Sequence, residues 1–359
     1  MFELNEKIRD LTPYDPITGS FSVRLDANES FLPLPDDVRQ ELGKIASSLD
    51  YRRYPDPLAT DVCAAFGTYY GLDPACVAGG NGSDELISIL MNAFLQPGDA
   101  VITAMPDFSM YGFYAHLAGG KNVVVQKDDS LQFPTDAVME AAKRENARMI
   151  VFSNPCNPTG QGLKKEDVRR LLRAVPETLV VLDEAYMDFW NESMLKEVNE
   201  YDNLLILRTC SKAFGGAALR LGFVVGPERL VRAVRAVKSP YNLNSFTQAA
   251  GTVLLSRREA EAAAIETIKA STRALHKALC RLAESYPVLE KVYDTCCNFV
   301  FIRTGADDAL HRGMLQKGIA VRRFPGYLRI TAGSEEENKA VTAALQELLD
   351  AGIGKEEQA

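Results

Sequence analysis

Short apolar runs recur through the centre of the chain, separated by longer stretches of mixed character: AVITAM (100–105), MIVFSN (149–154), TLVVLD (178–183), LLILRT (204–209) and LGFVVG (221–226). Each is strand-length and lacks a polar position at every second residue, the pattern of strands covered on both faces. Between the second and third runs, KKEDVRRLLRAV (164–175) sets apolar residues at helical intervals among charges, as a crossover helix does. Such alternation predicts a mostly parallel sheet flanked by helices. From Glu228 to Ala283 the chain is rich in Ala, Arg, Glu and Leu with few breakers after Pro240, which predicts a pair of long helices leaving the sheet. Beyond Pro287 the order KVYDTCCNFVFIRT, DDALHRGMLQKGIAV, GYLRITAG and EEENKAVTAALQELLDAG reads as strand, helix, strand, helix, a smaller α/β domain. The first thirty residues, rich in Pro, Asn and Asp and without periodicity, predict an arm over the surface. The expected organisation is therefore an arm over 1–29, a large domain over 30–240, and connecting helices with a small C-terminal domain over 241–359.

Composition narrows the classes. At 359 residues, 47% hydrophobic and 25% charged, the chain can bury cores for about two domains. A net charge of -8 argues against a nucleic-acid surface. An anionic ligand would have to be held by locally gathered Arg, backbone N–H groups and helix N-termini. The start, MFELNEKIRD, places charges where a signal peptide needs an apolar stretch, and no apolar run reaches roughly 18 residues, so no membrane segment and a cytoplasmic location are expected. The 7 cysteines, at 63, 76, 156, 210, 280, 296 and 297, have no CxxC spacing, so neither a disulfide framework nor a metal site is expected.

Three of the predicted strands run into polar loops: NPCNPTG (154–160), DEAY (183–186) and CSKAFG (210–215). Ligands of open α/β sheets sit at the carboxyl ends of strands, so the three loops are expected to converge. A lysine after a strand is ordinarily a solvated surface group. Lys212, however, follows an apolar run, lies beside small residues, and has Arg220 eight residues on, a setting able to desolvate an amine and make it nucleophilic. Asp183 could be a helix cap, or an ionised carboxylate paired with a protonated ring nitrogen. Asn157 could be turn chemistry, or an amide donor to a phenolate, as could the Tyr186 hydroxyl. GGNGSDEL (79–86) precedes an apolar helix and offers an anion site or a plain capped turn. It lacks the spacings of dinucleotide and nucleotide-triphosphate loops. Phe108 is a core aromatic or a stacking partner for a flat ring.

GNGSDE, NPCNPTG, DEAY and SKAFGGAALRLGF, in this order, resemble the fold-type-I aminotransferases that use pyridoxal 5'-phosphate (PLP). LTPY (11–14), LDANE (25–29), RYPDP (53–57) and GYLRIT (326–331) narrow the resemblance to the histidinol-phosphate aminotransferases, over nearly the whole chain. The resemblance implies an α/β fold-type-I PLP transferase, its large domain built on a mostly parallel sheet flanked by helices, with a smaller α/β C-terminal domain. It also implies that Lys212 binds the cofactor covalently and shuttles a proton, that Asp183 pairs with the ring nitrogen, that Tyr186 and Asn157 contact its phenolate, and that Phe108 stacks on the ring. The cofactor phosphate would sit among Ser83, Asp84, Thr209, Ser211 and Arg220, with Tyr54 reaching it from the second subunit of a homodimer. Arg329 would grip the carboxylate of glutamate, with Tyr14, Asn28 and Arg322 or Arg323 serving the phosphorylated substrate. A decarboxylase of phosphorylated amino acids, an aromatic aminotransferase and a non-catalytic PLP-binding regulator are the competing readings. Cys156, Asp107 and Ala218 depart from the residues common in the family, Asn, Thr and Gly. A Gly at position 218 with positive φ would make the added methyl shift the Arg220 loop.

Overall fold

The computed structural model describes residues 2–9, 11–13 and 17–353. Among them the strands form two sheets. The larger runs edge to edge through Val77–Gly80, Gly222–Val225, Leu204–Thr209, Leu179–Asp183, Met149–Ser153, Ala100–Met105 and Lys121–Gln126. The five strands from Leu204–Thr209 to Lys121–Gln126 are mutually parallel, and Gly222–Val225 runs against its two neighbours. The apolar runs lack polar alternation because both faces are covered. Val180, Leu182, Leu204 and Ile206 pack on one side with Val168, Leu171 and Leu172 of the helix Lys165–Ala174. Val181, Leu205 and Leu207 pack on the other side with Leu86, Leu90, Val231 and Val234 from the helices Ser83–Phe94 and Glu228–Val237. Each such Leu or Val contributes roughly 1.5–3 kcal/mol by leaving water.

The smaller sheet has the order Val23–Leu25, Ile319–Phe324, Tyr327–Thr331, Phe299–Arg303, Lys291–Val292. Its core joins Val300, Ile302, Leu328 and Ile330 to Leu310 and to Leu345 of the terminal helix Glu335–Asp350. That helix starts with a capping box, Ser334 and Glu337 each accepting the other's backbone N–H.

Three features differ from the sequence pattern. The N-terminal arm is not only a surface wrap: Val23–Leu25 pairs in parallel with Ile319–Val321, stitching it into the small sheet. The expected pair of long helices is three, Glu228–Val237, Ser245–Leu255 and Arg258–Ser285, because Ser239-Pro240 and Ser256-Arg257 interrupt them. The segment GIAV, joined above to the preceding helix, belongs to the strand Ile319–Phe324 after a positive-φ turn at Gly318.

Candidate active site

The parallel strands Ala100–Met105, Met149–Ser153, Leu179–Asp183 and Leu204–Thr209 end at one edge of the large sheet, and the antiparallel strand Gly222–Val225 begins there. This direction reversal brings Arg220, which precedes its strand, to the same edge as Asp183 and Lys212, which end or follow theirs.

One corner of that edge is a polar cradle. The helix Ser83–Phe94 begins after Gly82, whose φ is 85° and which supplies no side-chain cap, so the helix presents its first N–H groups and the positive end of its dipole. A Cβ on Gly82 would lie 2.6 Å from Arg220 Nη2, and one on Gly222 would lie 2.3 Å from the Ser83 nitrogen. Both glycines are thus required for the guanidinium and the helix start to meet. Thr209 Oγ1 donates to Ser211 Oγ at 3.0 Å and accepts from Ser211 N at 3.1 Å, and Arg220 Nη1 donates weakly to Ser211 Oγ at 3.4 Å. Arg220 is exposed, with φ 51°. Ala218 has no positive φ, so the strained backbone of this loop falls on Arg220 itself and the methyl at 218 meets no conformational penalty. The Asp84 carboxylate faces away, accepting from Tyr114 Oη at 3.0 Å.

The middle of the edge holds Asp183, buried at 5% exposure, which accepts from Tyr111 Oη at 2.8 Å and from Ala185 N at 3.1 Å. Burial outweighs these two bonds and raises its carboxyl to about 6. A cation brought against it would restore the ionised form. Phe108 is half-buried and meets Tyr111 edge to face, ring centroids 5.5 Å apart. The Tyr186 hydroxyl accepts from Asn28 Nδ2 at 2.8 Å, and burial raises its phenol.

Lys212 is half-buried, and its Nζ donates to the Ala27 carbonyl at 2.8 Å and lies 6.0 Å from the Tyr186 ring centroid. Burial first, then the Arg329 guanidinium, lowers the amine to about 8. Arg329 is buried at 6% exposure. It donates to Asn157 Oδ1 through Nη1 and to the Asp26 carbonyl at 2.6 Å through Nη2. Its Nε has no partner, and burial pulls its proton affinity down. Arg322 stands directly opposite Arg329 across the strand pair, while Arg323 turns outward to Asp307 at 2.6 Å. Asn157 thus bonds to Arg329.

Tyr54 is 79% exposed and stacks on Tyr241 at 4.4 Å, apart from this network. Tyr14 lies outside the described residues. No group of three or more His, Cys, Asp or Glu suited to a metal occurs among the described residues. No motif marks Tyr111, the phenol on Asp183; its only signal is its position three residues after Phe108 at the start of a helix. The carbonyls of Asp26 and Ala27 are backbone groups, which no side-chain pattern can reveal.

Residues 22–345 match the family model of aminotransferase class I and II. The chain belongs to the class I and II aminotransferases. Among the relatives of this aminotransferase, the histidinol-phosphate aminotransferase of Clostridium novyi is 38% identical over 336 residues, 92% of this chain and 93% of that protein. That of Thermococcus gammatolerans is 34% identical, covering 96% and 97%. Among solved structures, the histidinol-phosphate aminotransferase of Sinorhizobium meliloti in complex with pyridoxal-5'-phosphate superposes with a TM-score of 0.86 at 24% identity, covering 98% of each chain. The L-threonine-O-3-phosphate decarboxylase of Porphyromonas gingivalis has a TM-score of 0.79 at 22% identity, covering 91% and 99%. At such identities these structures share the aminotransferase fold.

Proposed function

We propose that this aminotransferase uses PLP to move an amino group between glutamate and a phosphorylated amino alcohol, as a histidinol-phosphate aminotransferase. The observation that carries the proposal is the gathering of a lowered amine, a buried carboxylate and an exposed guanidinium beside a helix start at one sheet edge. These residues fit the cofactor. The cradle of Ser83, Asp84, Thr209, Ser211 and Arg220 suits a phosphate, through N–H and hydroxyl donors and a planar fork. Asp183, raised by burial, suits a ring cation, with Phe108 against the ring and Tyr186 and Asn157 toward its phenolate. When bound, the cofactor supplies a carbonyl for the amine and a ring that withdraws electrons from the bond being broken.

The remaining work belongs to the chain. Lys212 Nζ, its proton affinity lowered to about 8, would take the proton from the substrate Cα and hold it for return. Asp183 would hold a ring cation, which would keep its carboxylate ionised. Arg329 and Arg322, directly opposite each other across the hairpin, would hold the glutamate carboxylate and the phosphate of the other substrate in turn, and the family resemblance assigns Asn28 and Tyr14 to that second substrate as well. A homodimer with Tyr54 reaching the neighbouring cofactor phosphate belongs to the same proposal. The exposed Tyr51, Tyr54, Leu58 and Tyr241, at 76%, 79%, 50% and 46%, support it as an apolar surface for a second subunit. A cytoplasmic location is also proposed, and no helix among the described residues is long and apolar enough to cross a membrane.

The deciding experiment is a single-turnover comparison. Enzyme preloaded with an amino group by glutamate should pass it to imidazole acetol phosphate far faster than to phenylpyruvate. The reverse order would make the chain an aromatic aminotransferase, and carbon dioxide release from threonine phosphate would make it a decarboxylase. Two substitutions test the parts. Arg220→Ala should weaken PLP binding to the apoprotein roughly 10- to 100-fold in a fluorescence titration, the worth of hydrogen bonds to a charged group. Arg329→Ala should lower kcat/KM for glutamate roughly 100-fold, mostly through KM, and leave the cofactor bound.

A further inference from the structure

Asp107 and Cys156, two of the departures from the family pattern, meet over a buried lysine that the proposed chemistry does not use. Lys127 follows the edge strand Lys121–Gln126, and its side chain and that of Asp107 are each 1% exposed. Lys127 Nζ donates to the Pro106 carbonyl at 2.8 Å and to Cys156 Sγ at 3.1 Å, and lies 3.9 Å from Asp107 Oδ2. The Asp107 carboxylate accepts from Phe108 N at 2.7 Å, from Ser153 N at 3.2 Å and from Ser153 Oγ. Ser153 Oγ in turn accepts from Asn157 N at 3.0 Å. An unbroken polar chain therefore runs from Lys127 through Asp107 and Ser153 to Asn157, with a branch to Phe108.

We infer that Lys127 is a positioning residue of the active site, its ammonium clasping the loop that carries Phe108 to the loop that carries Asn157. Phe108 and Asn157 are the groups assigned to the face and the phenolate of the ring, so the inference rests on the PLP reading. The clasp is also electrostatic. Asp107 is a second buried carboxylate close enough to Asp183 to raise its proton affinity, and the Lys127 ammonium offsets that negative charge. A lysine acting only as a strut would hold the loops together without touching either property of the cofactor site.

The test compares wild type, Lys127→Met and the double variant Asp107→Asn with Lys127→Met, which leaves no buried charge unpaired. PLP affinity is read by fluorescence titration of each apoprotein, and the visible band of each holoenzyme is followed against pH. Lys127→Met should bind PLP roughly 10- to 100-fold more weakly, the scale of a misplaced binding group. The midpoint of its band should move to higher pH, since a bare Asp107 carboxylate favours the protonated chromophore. In the double variant the midpoint should return toward wild type while the affinity stays low. Wild-type affinity in the double variant, or an unmoved midpoint with only a lower melting temperature in Lys127→Met, would overturn the inference. Should Lys127→Met fail to fold, the affinity of the double variant decides. Failure of the wild-type apoprotein to bind PLP would instead sink the cofactor reading.

Discussion

Lys212→Met is expected to abolish turnover and, at the same time, make the apoprotein harder to unfold. Turnover should fall roughly 10⁴-fold or more, because Lys127, a second amine described at this sheet edge, is held by Pro106 and Cys156 and cannot replace Lys212 as the proposed base. The stability gain follows from linkage. The folded amine sits at about 8 against an ordinary 10.5, so between those values the unfolded chain binds the extra proton. Wild-type apoprotein should therefore gain stability as pH rises from about 8 to 10.5, and carry the full penalty below 8. The displacement corresponds to roughly 3 kcal/mol, and residual solvent contact brings the expected gain of the Met variant nearer to about 2 kcal/mol at pH 7. Urea denaturation of the two apoproteins at pH 7 and pH 10 measures both. Equal stabilities at pH 7, or a wild-type curve flat across the window, would refute the desolvated amine.

Asp183→Asn should slow the glutamate half-reaction roughly 10³-fold while leaving the phosphate cradle intact. A carboxylate and a ring cation about 4 Å apart are worth roughly 4 kcal/mol at an effective dielectric near 20, and the amide gives up that attraction. The apoprotein should respond in the opposite sense. Burial holds the carboxyl at about 6 against an ordinary 3.8, so the folded state keeps a proton that the unfolded chain has lost. Wild-type apoprotein consequently loses stability as pH rises from about 4 to 6, and the Asn variant should not. Stopped-flow rates for the holoenzymes and denaturation curves for the apoproteins separate the two effects. A half-reaction within a few-fold of wild type would mean that Asp183 does not pair with the ring.

The large sheet was legible because its strands are buried on both faces. Apolar runs such as LLILRT can be neither amphipathic helices nor edge strands, and Thr209 and Asp183 mark their polar ends. The strand Val77–Gly80 was not legible, since VAGG has little side chain to show a period, and its glycines serve tertiary neighbours, Gly80 leaving room for the Leu86 side chain beneath it. The edge strand Lys121–Gln126 hides for another reason: one face is solvated, and Lys121, Asn122 and Gln126 break the run. Lys212, Asp183 and Arg220 could be singled out from their neighbours in the chain. Arg329 was marked by the GYLRIT resemblance, but its bond to Asn157 joins residues 172 positions apart and belongs to the tertiary structure. Asp107 and Lys127 were invisible as a pair for the same reason. Each alone looks like a surface charge, and only their shared burial makes them a clasp.

The carbonyls of Asp26 and Ala27 grip Arg329 and Lys212 from adjacent peptide units, on an arm whose preceding residues are a strand of the small sheet. The guanidinium proposed to receive the incoming anion and the amine proposed as the base thus share a single handle. A tilt of the small sheet would pull both at once, so loosening the proposed grip on the anion would also disturb the proposed base. Shortening the chain from the amino end past residue 25 would for that reason act like a double active-site mutation, although it removes neither of the two side chains.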